Sequence, residues 1–284
     1  MEAAFAELPL ALFSTLAPIA AGTFLALSIS LIVAPMEDLR VRTIGKLSLV
    51  PYAIALVGFA ASLFHLATPM NAPLVLVNTG SSPLSNEIAA GVIFLVAATT
   101  FVAFGLADRL DGRVRTPLAI VTVVISAGFA WFTGMAYVMS TIESWNTFLV
   151  PVQIMGFSLL AGILLGMLLL SAVGPVEKVV RGAYRNLALA GTALGALVGG
   201  SAFLLQISAV SEMSTPAVEG ADVLAEVMGP FVGALILIAS AGVVGCAGML
   251  RTSRKLLAIA FLLAVPGIFI ARLVFYATRI SFGL

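Results

Sequence analysis

Two ionisable side chains, His65 and Glu87, are the residues of this chain best suited to acid–base chemistry. His65 lies shortly before the Thr68–Pro69 pair. Because a residue before proline resists the helical region, we expect a helix to end there with His65 in its last turn. Ser82 and Pro83 are typical of an N-cap and a first helical position, so Glu87 is expected about 6 Å inside the following helix.

These two helices are predicted to be antiparallel neighbours joined by one loop, which brings His65 and Glu87 to the same depth of the fold. An imidazole changes protonation near neutral pH, and a half-buried carboxylate beside it can also accept a proton. In the alternative interpretation, His65 caps one helix and Glu87 lies near the positive end of the next. The sequence favours chemistry for His65 and leaves both interpretations open for Glu87.

Apolar runs form the elements that must position this pair. Hydrophobic residues make up 61% of the chain, charged residues make up 10%, and the mean hydropathy is +1.17. This composition lies outside the range of a soluble domain. A spanning helix needs about 20 apolar residues, so we expect an all-α, polytopic membrane protein with eight transmembrane helices. The predicted spans lie at about 10–34, 47–67, 83–107, 117–140, 148–173, 187–209, 227–250 and 256–277.

Charge patterning predicts the orientation of the spans. Most of the 14 lysines and arginines fall in four loops that alternate with loops containing none. The basic loops carry Arg40, Arg42, Lys46, Arg109, Arg113, Arg115, Lys178, Arg181, Arg185, Arg251, Arg254 and Lys255. Since basic loops stay in the cytoplasm, we expect a multi-pass protein of the bacterial inner membrane with both termini periplasmic. No cleavable signal is recognised, so the first span is expected to remain as a signal anchor.

Several classes of function are disfavoured by the residue inventory. A lone Cys246 excludes an internal disulfide, a cysteine-bound iron–sulfur cluster and a CxxC pair, and a lone His65 excludes bis-histidine haem and makes a zinc site improbable. Lysines near the basic loops argue against a retinal Schiff base. A Ser–His protease is disfavoured because Ser81 lies in a proline-rich loop. The net charge of +1 gives no sign of nucleic-acid binding.

Two segments of the chain show a weak similarity that is compatible either with an internal repeat or with chance likeness between apolar helices. The segment that begins at Ile19 aligns without gaps on the segment that begins at Leu159, and the alignment pairs Gly22 with Gly162. The single integral membrane domain, 1–284, is therefore either a chain of unrelated apolar helices or a tandem of four-helix halves, 1–140 and 141–284. Glycines spaced along the fifth and sixth spans predict close helix packing.

Further polar residues near the pair extend the candidate site. Ser62 and Asn86 lie beside the pair along the chain. Arg272 is an intramembrane charge that pairs with Glu87 or a substrate oxygen, or reaches toward water by snorkelling, which its long side chain favours. Two other polar or aromatic residues have separate interpretations. Gln206 is expected to hydrogen-bond across helices, and Trp145 to be an interfacial anchor, as aromatic residues at membrane boundaries often are.

A resemblance supports the chemistry of this pair. The runs Phe59–Met70, which contains His-Leu-x-x-Pro, and Leu84–Gly91, which contains Leu-Ser-Asn-Glu, resemble the membrane anchor subunits of dimethyl sulfoxide reductases. The resemblance extends to the stretch Glu7–Phe13 and to the number of spans, so it covers essentially the whole chain. One departure is Ala67, where the family pattern has glycine.

The resemblance implies a function in anaerobic respiration. Such anchors bind no haem, hold an iron–sulfur subunit and a molybdopterin catalytic subunit on the outer face of the bilayer, and oxidise menaquinol. The residues that match His65 and Glu87 are implicated at the quinol site. The protein is then not an enzyme on its own but the membrane subunit of a molybdopterin oxidoreductase complex, with no metal or cluster of its own. Asn86, Ser62 and Arg272 complete the expected quinol-binding set.

Two alternatives remain open on the sequence. A secondary transporter is suggested by the repeat, by Arg272 and by the glycines, although transporters place such charges near the midplane of the bilayer. A purely structural anchor is the other alternative, distinguished by whether a quinol analogue binds near His65.

Overall fold

The computed structural model describes residues 5–34, 38–64, 75–173, 182–215 and 218–280. Within these ranges the secondary structure is helical, apart from an isolated bridge between Ser214 and Glu219. The α-helices are α1 (Leu8–Val33), α2 (Asp38–Leu47), α3 (Leu49–Leu63), α4 (Pro83–Leu106), α5 (Gly112–Met135), α6 (Leu149–Val173), α7 (Gly182–Ala209), α8 (Gly220–Leu250) and α9 (Arg254–Ala277). Short 3-10 helices occupy Leu76–Asn78, Glu143–Trp145 and Val210–Glu212.

Eight segments of the described residues are long and apolar enough to cross a membrane, which confirms the predicted polytopic all-α architecture. The second of these spans, Arg40–Leu63, contains most of α2 and all of α3. The two helices meet at Ser48, whose hydroxyl donates a 2.6 Å hydrogen bond to the Gly45 carbonyl oxygen. A side chain that bonds back to its own helix in this way often marks a bend.

Several predicted boundaries are wrong because charged residues continue the helices beyond their apolar runs. The fourth span begins at Gly112 rather than near 117, and the side chain of Asp111 caps it by accepting hydrogen bonds from two backbone N–H groups. The seventh span begins at Gly220 rather than near 227, so the acidic stretch around Asp222 belongs to α8. Hydropathy alone does not detect such polar turns, and at Gly112 the Asp111 cap stabilises the turn.

Helices α1 and α6 are the two most buried spans and form the centre of the bundle. Gly22 and Gly162 meet where these helices cross, and a methyl group on either would overlap backbone atoms of the other helix. The Ser158 hydroxyl also donates a 2.7 Å hydrogen bond to the Pro18 carbonyl oxygen across the crossing. Gly195 and Gly199 of α7 approach α6 in the same way, which confirms the predicted role of these glycines in packing.

The helices of the two halves pack in similar ways. In residues 1–140 the first span contacts the second and fourth spans, and the third packs on the fourth. In residues 141–284 the fifth span contacts the sixth and eighth, and the seventh packs on the eighth. The internal alignment pairs Gly22 with Gly162, and these residues meet at the centre. We therefore propose that the single membrane domain consists of two tandem four-helix halves.

Candidate functional site

Glu87 lies one turn inside α4, on the buried side of that helix. The helix begins as the sequence predicts, because the Ser82 side chain accepts a hydrogen bond from the Ser85 N–H and Pro83 occupies the first turn. Glu87 is only 7% exposed, and its Oε1 atom is buried without a hydrogen-bond partner among the described residues. A buried carboxyl oxygen is costly without a hydrogen-bond donor, so a donor outside the described residues is expected for this atom.

Aromatic rings pack against α4 further into the bundle than Glu87. Gly91, one turn further along α4, faces the ring of Phe59 from α3, and a Cβ there would lie 2.8 Å from the Phe59 Cε1 atom. Phe94 stacks on Phe129 of α5 with ring centroids 4.8 Å apart, and Phe59 stacks on the same ring at 5.5 Å. Phe59, Phe94 and Phe129, from three helices, therefore form an aromatic floor one to two helical turns deeper along α4 than Glu87.

The stacked Phe94–Phe129 pair sets the register of α4 against the antiparallel α5. Glu87 lies seven residues before Phe94, and Ala136 lies seven residues after Phe129. Because both helices rise equally per residue, Glu87 is at about the same level along the bundle as Ala136 and the next residue, Tyr137. Tyr137 is buried, and its hydroxyl is hydrogen-bonded to the hydroxyl of Tyr276 on α9.

Tyr137 connects Glu87 electrostatically with a buried arginine. Burial raises the pKa of Tyr137 well above its ordinary value, and the neighbouring Tyr276 raises it further. The charge of Arg272 acts to lower this pKa, whereas the charge of Glu87 acts to raise it. The phenol is therefore neutral at physiological pH and lies within electrostatic reach of both charged residues.

Arg272 lies inside the protein, so the predicted snorkelling is wrong. Its side chain is 0% exposed. The Nε atom donates to Ser14 Oγ at 2.8 Å, Nη1 donates to Gln153 Oε1 at 3.3 Å, and Nη2 donates to the Tyr276 hydroxyl at 3.3 Å. The guanidinium carbon also lies 4.1 Å from the centroid of the Phe275 ring. Polar acceptors and aromatic faces thus replace the water that a snorkelling side chain would reach.

The hydrogen bonds of Arg272 continue across the second half of the protein. Gln153 Nε2 donates to Gln206 Oε1 at 3.3 Å, which confirms the predicted cross-helix bond of Gln206. Gln206 Nε2 donates in turn to the Ser144 carbonyl oxygen at 3.1 Å, and the Ile280 N–H donates to Ser144 Oγ at 3.0 Å. The arginine is therefore held by a network that reaches both the loop after α5 and the segment after α9.

Trp145 belongs to the same packed region and is not the predicted interfacial anchor. It is only 6% exposed and stacks on Phe275 with ring centroids 4.9 Å apart. Its indole N–H donates a 3.2 Å hydrogen bond to the Phe275 carbonyl oxygen. An internal acceptor thus satisfies the polar atom that an interfacial tryptophan would present to water.

Comparison with known proteins identifies the family of this protein. Residues 1–278 match the profile of the DMSO reductase anchor subunit family (DmsC). The chain belongs to this family. The anchor subunit is 29% identical, over 294 aligned residues, to the C subunit of anaerobic dimethyl sulfoxide reductase from Escherichia coli (strain K12), and the alignment covers 100% of this protein and 99% of that relative.

Two further relatives match about half of the anchor subunit. The C subunit of anaerobic dimethyl sulfoxide reductase from Haemophilus influenzae (strain ATCC 51907 / DSM 11121 / KW20 / Rd) is 33% identical over 147 residues, covering 51% of this protein and 52% of that relative. The YnfH subunit of anaerobic dimethyl sulfoxide reductase from Escherichia coli (strain K12) is 26% identical over 140 residues, covering 49% of each. These matches confirm the resemblance inferred from the sequence.

The remaining predicted site residues of the anchor subunit have different positions. His65 lies outside the described residues. Ser62 lies in the last turn of α3 and donates a 2.8 Å hydrogen bond to the Phe59 carbonyl oxygen. Asn86, next to Glu87, accepts a 2.6 Å hydrogen bond from the Gly80 N–H through its Oδ1 atom and thereby holds the preceding loop. The structure thus places Ser62 and Asn86 near the same end of the bundle as Glu87.

Sequence reasoning missed several polar residues that surround Arg272. Ser14, Gln153, Tyr137 and Tyr276 lie at the same end of the bundle, on different segments. The sequence did contain a signal for these four residues. An arginine at membrane depth requires hydrogen-bond acceptors, and all four residues are polar groups near the corresponding ends of apolar spans. Among the described residues, no group of three or more His, Cys, Asp or Glu side chains is arranged to hold a metal ion.

Proposed function

We propose that this anchor subunit oxidises menaquinol beside Glu87 and passes the electrons to an iron–sulfur partner subunit in anaerobic respiration. The observation that carries the proposal is the buried Glu87 Oε1 atom, which lacks a donor among the described residues and lies above an aromatic floor. A quinol hydroxyl supplies a hydrogen-bond donor to this atom.

The chemistry assigns one proton acceptor to each hydroxyl group of the quinol. Oxidation releases two protons and two electrons, and the proposed acceptors are Glu87 and His65. His65 directly follows Phe64, where the described part of that segment ends. The contact between Gly91 and Phe59 sets α3 against α4, which brings the last turn of α3 to the level of Glu87.

Three further residues complete the proposed quinol site. Ser62 retains lone pairs on its hydroxyl group, and the amide N–H groups of Asn86 have no hydrogen-bond acceptor among the described residues. Arg272 supports the site indirectly, because its described hydrogen bonds go to Ser14, Gln153 and Tyr276. The anchor thus supplies binding and proton acceptance, whereas the complex supplies the redox centres.

The proposed arrangement places the Glu87 end of the bundle at the outer face of a bacterial inner membrane, with both termini periplasmic. The basic residues concentrate toward the opposite end, which is typical of the cytoplasmic side. An iron–sulfur subunit and a molybdopterin catalytic subunit then dock on the outer face. Exposed acidic residues available there for docking are Glu143, Glu212, Glu219, Asp222 and Glu226. Charges at the rim of such an interface mainly affect the rate of association.

Glu87→Gln in the intact complex tests the proposed site. The amide keeps the size of the side chain but cannot accept the quinol proton, so we expect menaquinol oxidation to fall at least about 100-fold. Reduction of the terminal acceptor by an artificial donor that feeds the soluble subunits directly should be unchanged. Asp108→Asn, an exposed acidic residue at the opposite, basic end of the bundle, is the matched control and should keep both activities. Retention of quinol oxidation by Glu87→Gln would exclude this carboxyl group from the reaction.

Purification in mild detergent tests the proposed partners. Molybdenum and iron should copurify with the anchor subunit in fixed ratios, as metal analysis and mass spectrometry of the bound subunits would show. An isolated monomer or dimer without these metals would instead favour the secondary transporter.

A further inference from the structure

We infer that menaquinol reaches Glu87 from the outer half of the bilayer through the seam between the second and third spans, and that its isoprenoid tail lies in the open part of this seam. The seam consists of the residues of α2 and α3 that face α4, together with the residues of α4 that face them. This inference rests on the proposed function and deepens it, because it assigns an entrance and a tail-binding groove to the substrate.

Three contacts close the seam from the basic end of the bundle to the level of Phe59. In that order, the facing pairs are Gly45–Gly105, Tyr52–Thr99 and Phe59–Gly91. They recur at intervals of about seven residues, as is typical of two helices packed along their length. A methyl group on Gly45 would lie 2.6 Å from the Gly105 Cα atom, so backbone meets backbone there. At the other two pairs an aromatic side chain separates the helices.

Two leucines continue the seam beyond Phe59, but the helices do not bury them. Leu63 lies four residues after Phe59, and Leu84 lies seven residues before Gly91, so each is on the side of its helix that bears the seam contacts. The two side chains are both 49% exposed. A leucine that faces lipid is ordinary, whereas one at a seam position between packed helices is expected to be buried. Among the described residues, the seam therefore becomes an open apolar groove between Leu63 and Leu84.

Glu87 lies at the level of this groove. It precedes Gly91 by four residues and shares its side of α4. Because Gly91 meets Phe59 and the helices are antiparallel, Glu87 is about level with Leu63. The Glu87 Oε1 atom is buried without a hydrogen-bond partner among the described residues. The groove and the carboxyl group therefore share one level, and the Phe59 ring closes the seam further into the bundle.

The chemistry of the groove suits the two ends of a lipid-soluble quinol. The head group needs a hydrogen-bonding partner, whereas the isoprenoid tail needs an apolar path that is continuous with lipid. Glu87 is the ionisable residue of α4, and that of α3 is Tyr52, at the other end of the helix. The rest of the seam between Phe59 and Glu87 is apolar or small. A quinol held here keeps its head beside the carboxyl group and its tail in the groove.

A second apolar groove lies between α1 and α9 and is the rival position for the tail. Its lining residues are Leu12, Thr15, Leu16, Val265, Pro266 and Phe269. None of these six side chains is ionisable, so this groove offers no proton acceptor to a quinol. The seam between α3 and α4 is thus favoured, because it joins an apolar surface to a carboxyl group.

Photolabelling of the wild-type complex tests the position of the tail. The probe is a menaquinol analogue with a diazirine on its first isoprenoid unit, added to the complex in vesicles of phosphatidylethanolamine and phosphatidylglycerol. Mass spectrometry should find adducts on the peptides that contain Leu63 and Leu84, and excess menaquinol should displace them. Displaceable adducts on the α1–α9 groove, or no displaceable adducts on the two seam peptides, would overturn the inference.

Narrowing the groove tests the entrance. Leu84→Trp places a bulky ring in the groove, whereas Val96→Trp, the matched control, adds the same ring to an exposed position on another side of α4. We expect kcat/KM for menaquinol to be about tenfold lower in Leu84→Trp than in Val96→Trp, with similar kcat values at saturation. A naphthoquinol without the tail should lose less. Equal kcat/KM values in the two variants, or equal losses for both quinols, would overturn the inference.

Artificial-donor activity measures the amount of assembled complex and normalises every rate. If Leu84→Trp does not accumulate in the membrane, Leu63→Trp narrows the groove from the opposite helix and carries the test. Loss of the soluble subunits from both tryptophan variants of the groove would assign these leucines to subunit docking and would overturn the inference. If Glu87→Gln retains quinol oxidation, the proposed function fails. If Glu87→Gln loses it and the groove variants behave like Val96→Trp, only the present inference fails.

Discussion

Replacing Gly22 by alanine should separate the two central helices. The added methyl group would overlap the Ser158 carbonyl oxygen, a backbone atom that cannot rotate away. The helices must then move apart, and Ser158 Oγ loses its 2.7 Å hydrogen bond to the Pro18 carbonyl oxygen. Overpacking costs about 1–3 kcal/mol, and a hydrogen bond between membrane helices is worth about 0.6 kcal/mol. We therefore expect the free energy of unfolding to fall by about 2–4 kcal/mol.

Thermal denaturation of the detergent-purified complex measures this loss. Gly128→Ala on α5 is the matched control, because a Cβ at Gly128 meets no atom within 4 Å. Its midpoint should be unchanged or raised, since alanine favours a helix over glycine by about 1 kcal/mol. Gly162→Ala disturbs the same crossing as Gly22→Ala, so the double variant should lose less than the sum of the single losses. Equal midpoints for Gly22→Ala and Gly128→Ala would refute the reasoning.

Three further substitutions test the packing around the site. Gln153→Leu removes an acceptor of Arg272 and should lower the free energy of unfolding by about 1–3 kcal/mol, whereas an unchanged thermal midpoint would argue against that hydrogen bond. Phe129→Ala opens the aromatic floor beside Glu87 and should cost about 3–5 kcal/mol in stability, with a raised KM for quinol as a second readout. Trp145→Phe keeps a stacked ring but loses the indole N–H, so a loss of about 1 kcal/mol is expected in the same thermal assay.

The architecture was predictable because lipid imposes simple rules on a polypeptide. Apolar length and the alternation of basic loops gave the number of spans, and the Ser82–Pro83 pair correctly placed the start of α4. The helix starts at Gly112 and Gly220 were missed because the first turns of these helices contain polar residues and precede the apolar runs that hydropathy detects. The position of Glu87 one turn inside α4 followed from that start alone, whereas its burial depends on which face of α4 packs against the other helices.

The surroundings of Arg272 could not be predicted, because they depend on which faces of distant helices meet. Its partners Ser14 and Gln153 lie 258 and 119 residues away in sequence. Single-sequence reasoning detects that a buried guanidinium needs acceptors but cannot choose among all the serines and glutamines of the spans. Trp145 illustrates the same limit, since a tryptophan in a loop between two spans is equally compatible with lipid contact and with the internal stacking on Phe275.

The position of Arg272 in the last of the eight spans has a consequence for biogenesis. Arginine is among the least favourable residues for insertion into a bilayer, at up to about 3 kcal/mol near a helix centre. Its acceptors on α1 and α6 are already made when the ribosome completes α9, so this helix enters beside a bundle prepared to receive it. A polypeptide that stops before α9 leaves Gln153 and Ser14 without that partner inside the bilayer. Completion of translation is thus coupled to completion of the hydrogen-bond network around Arg272.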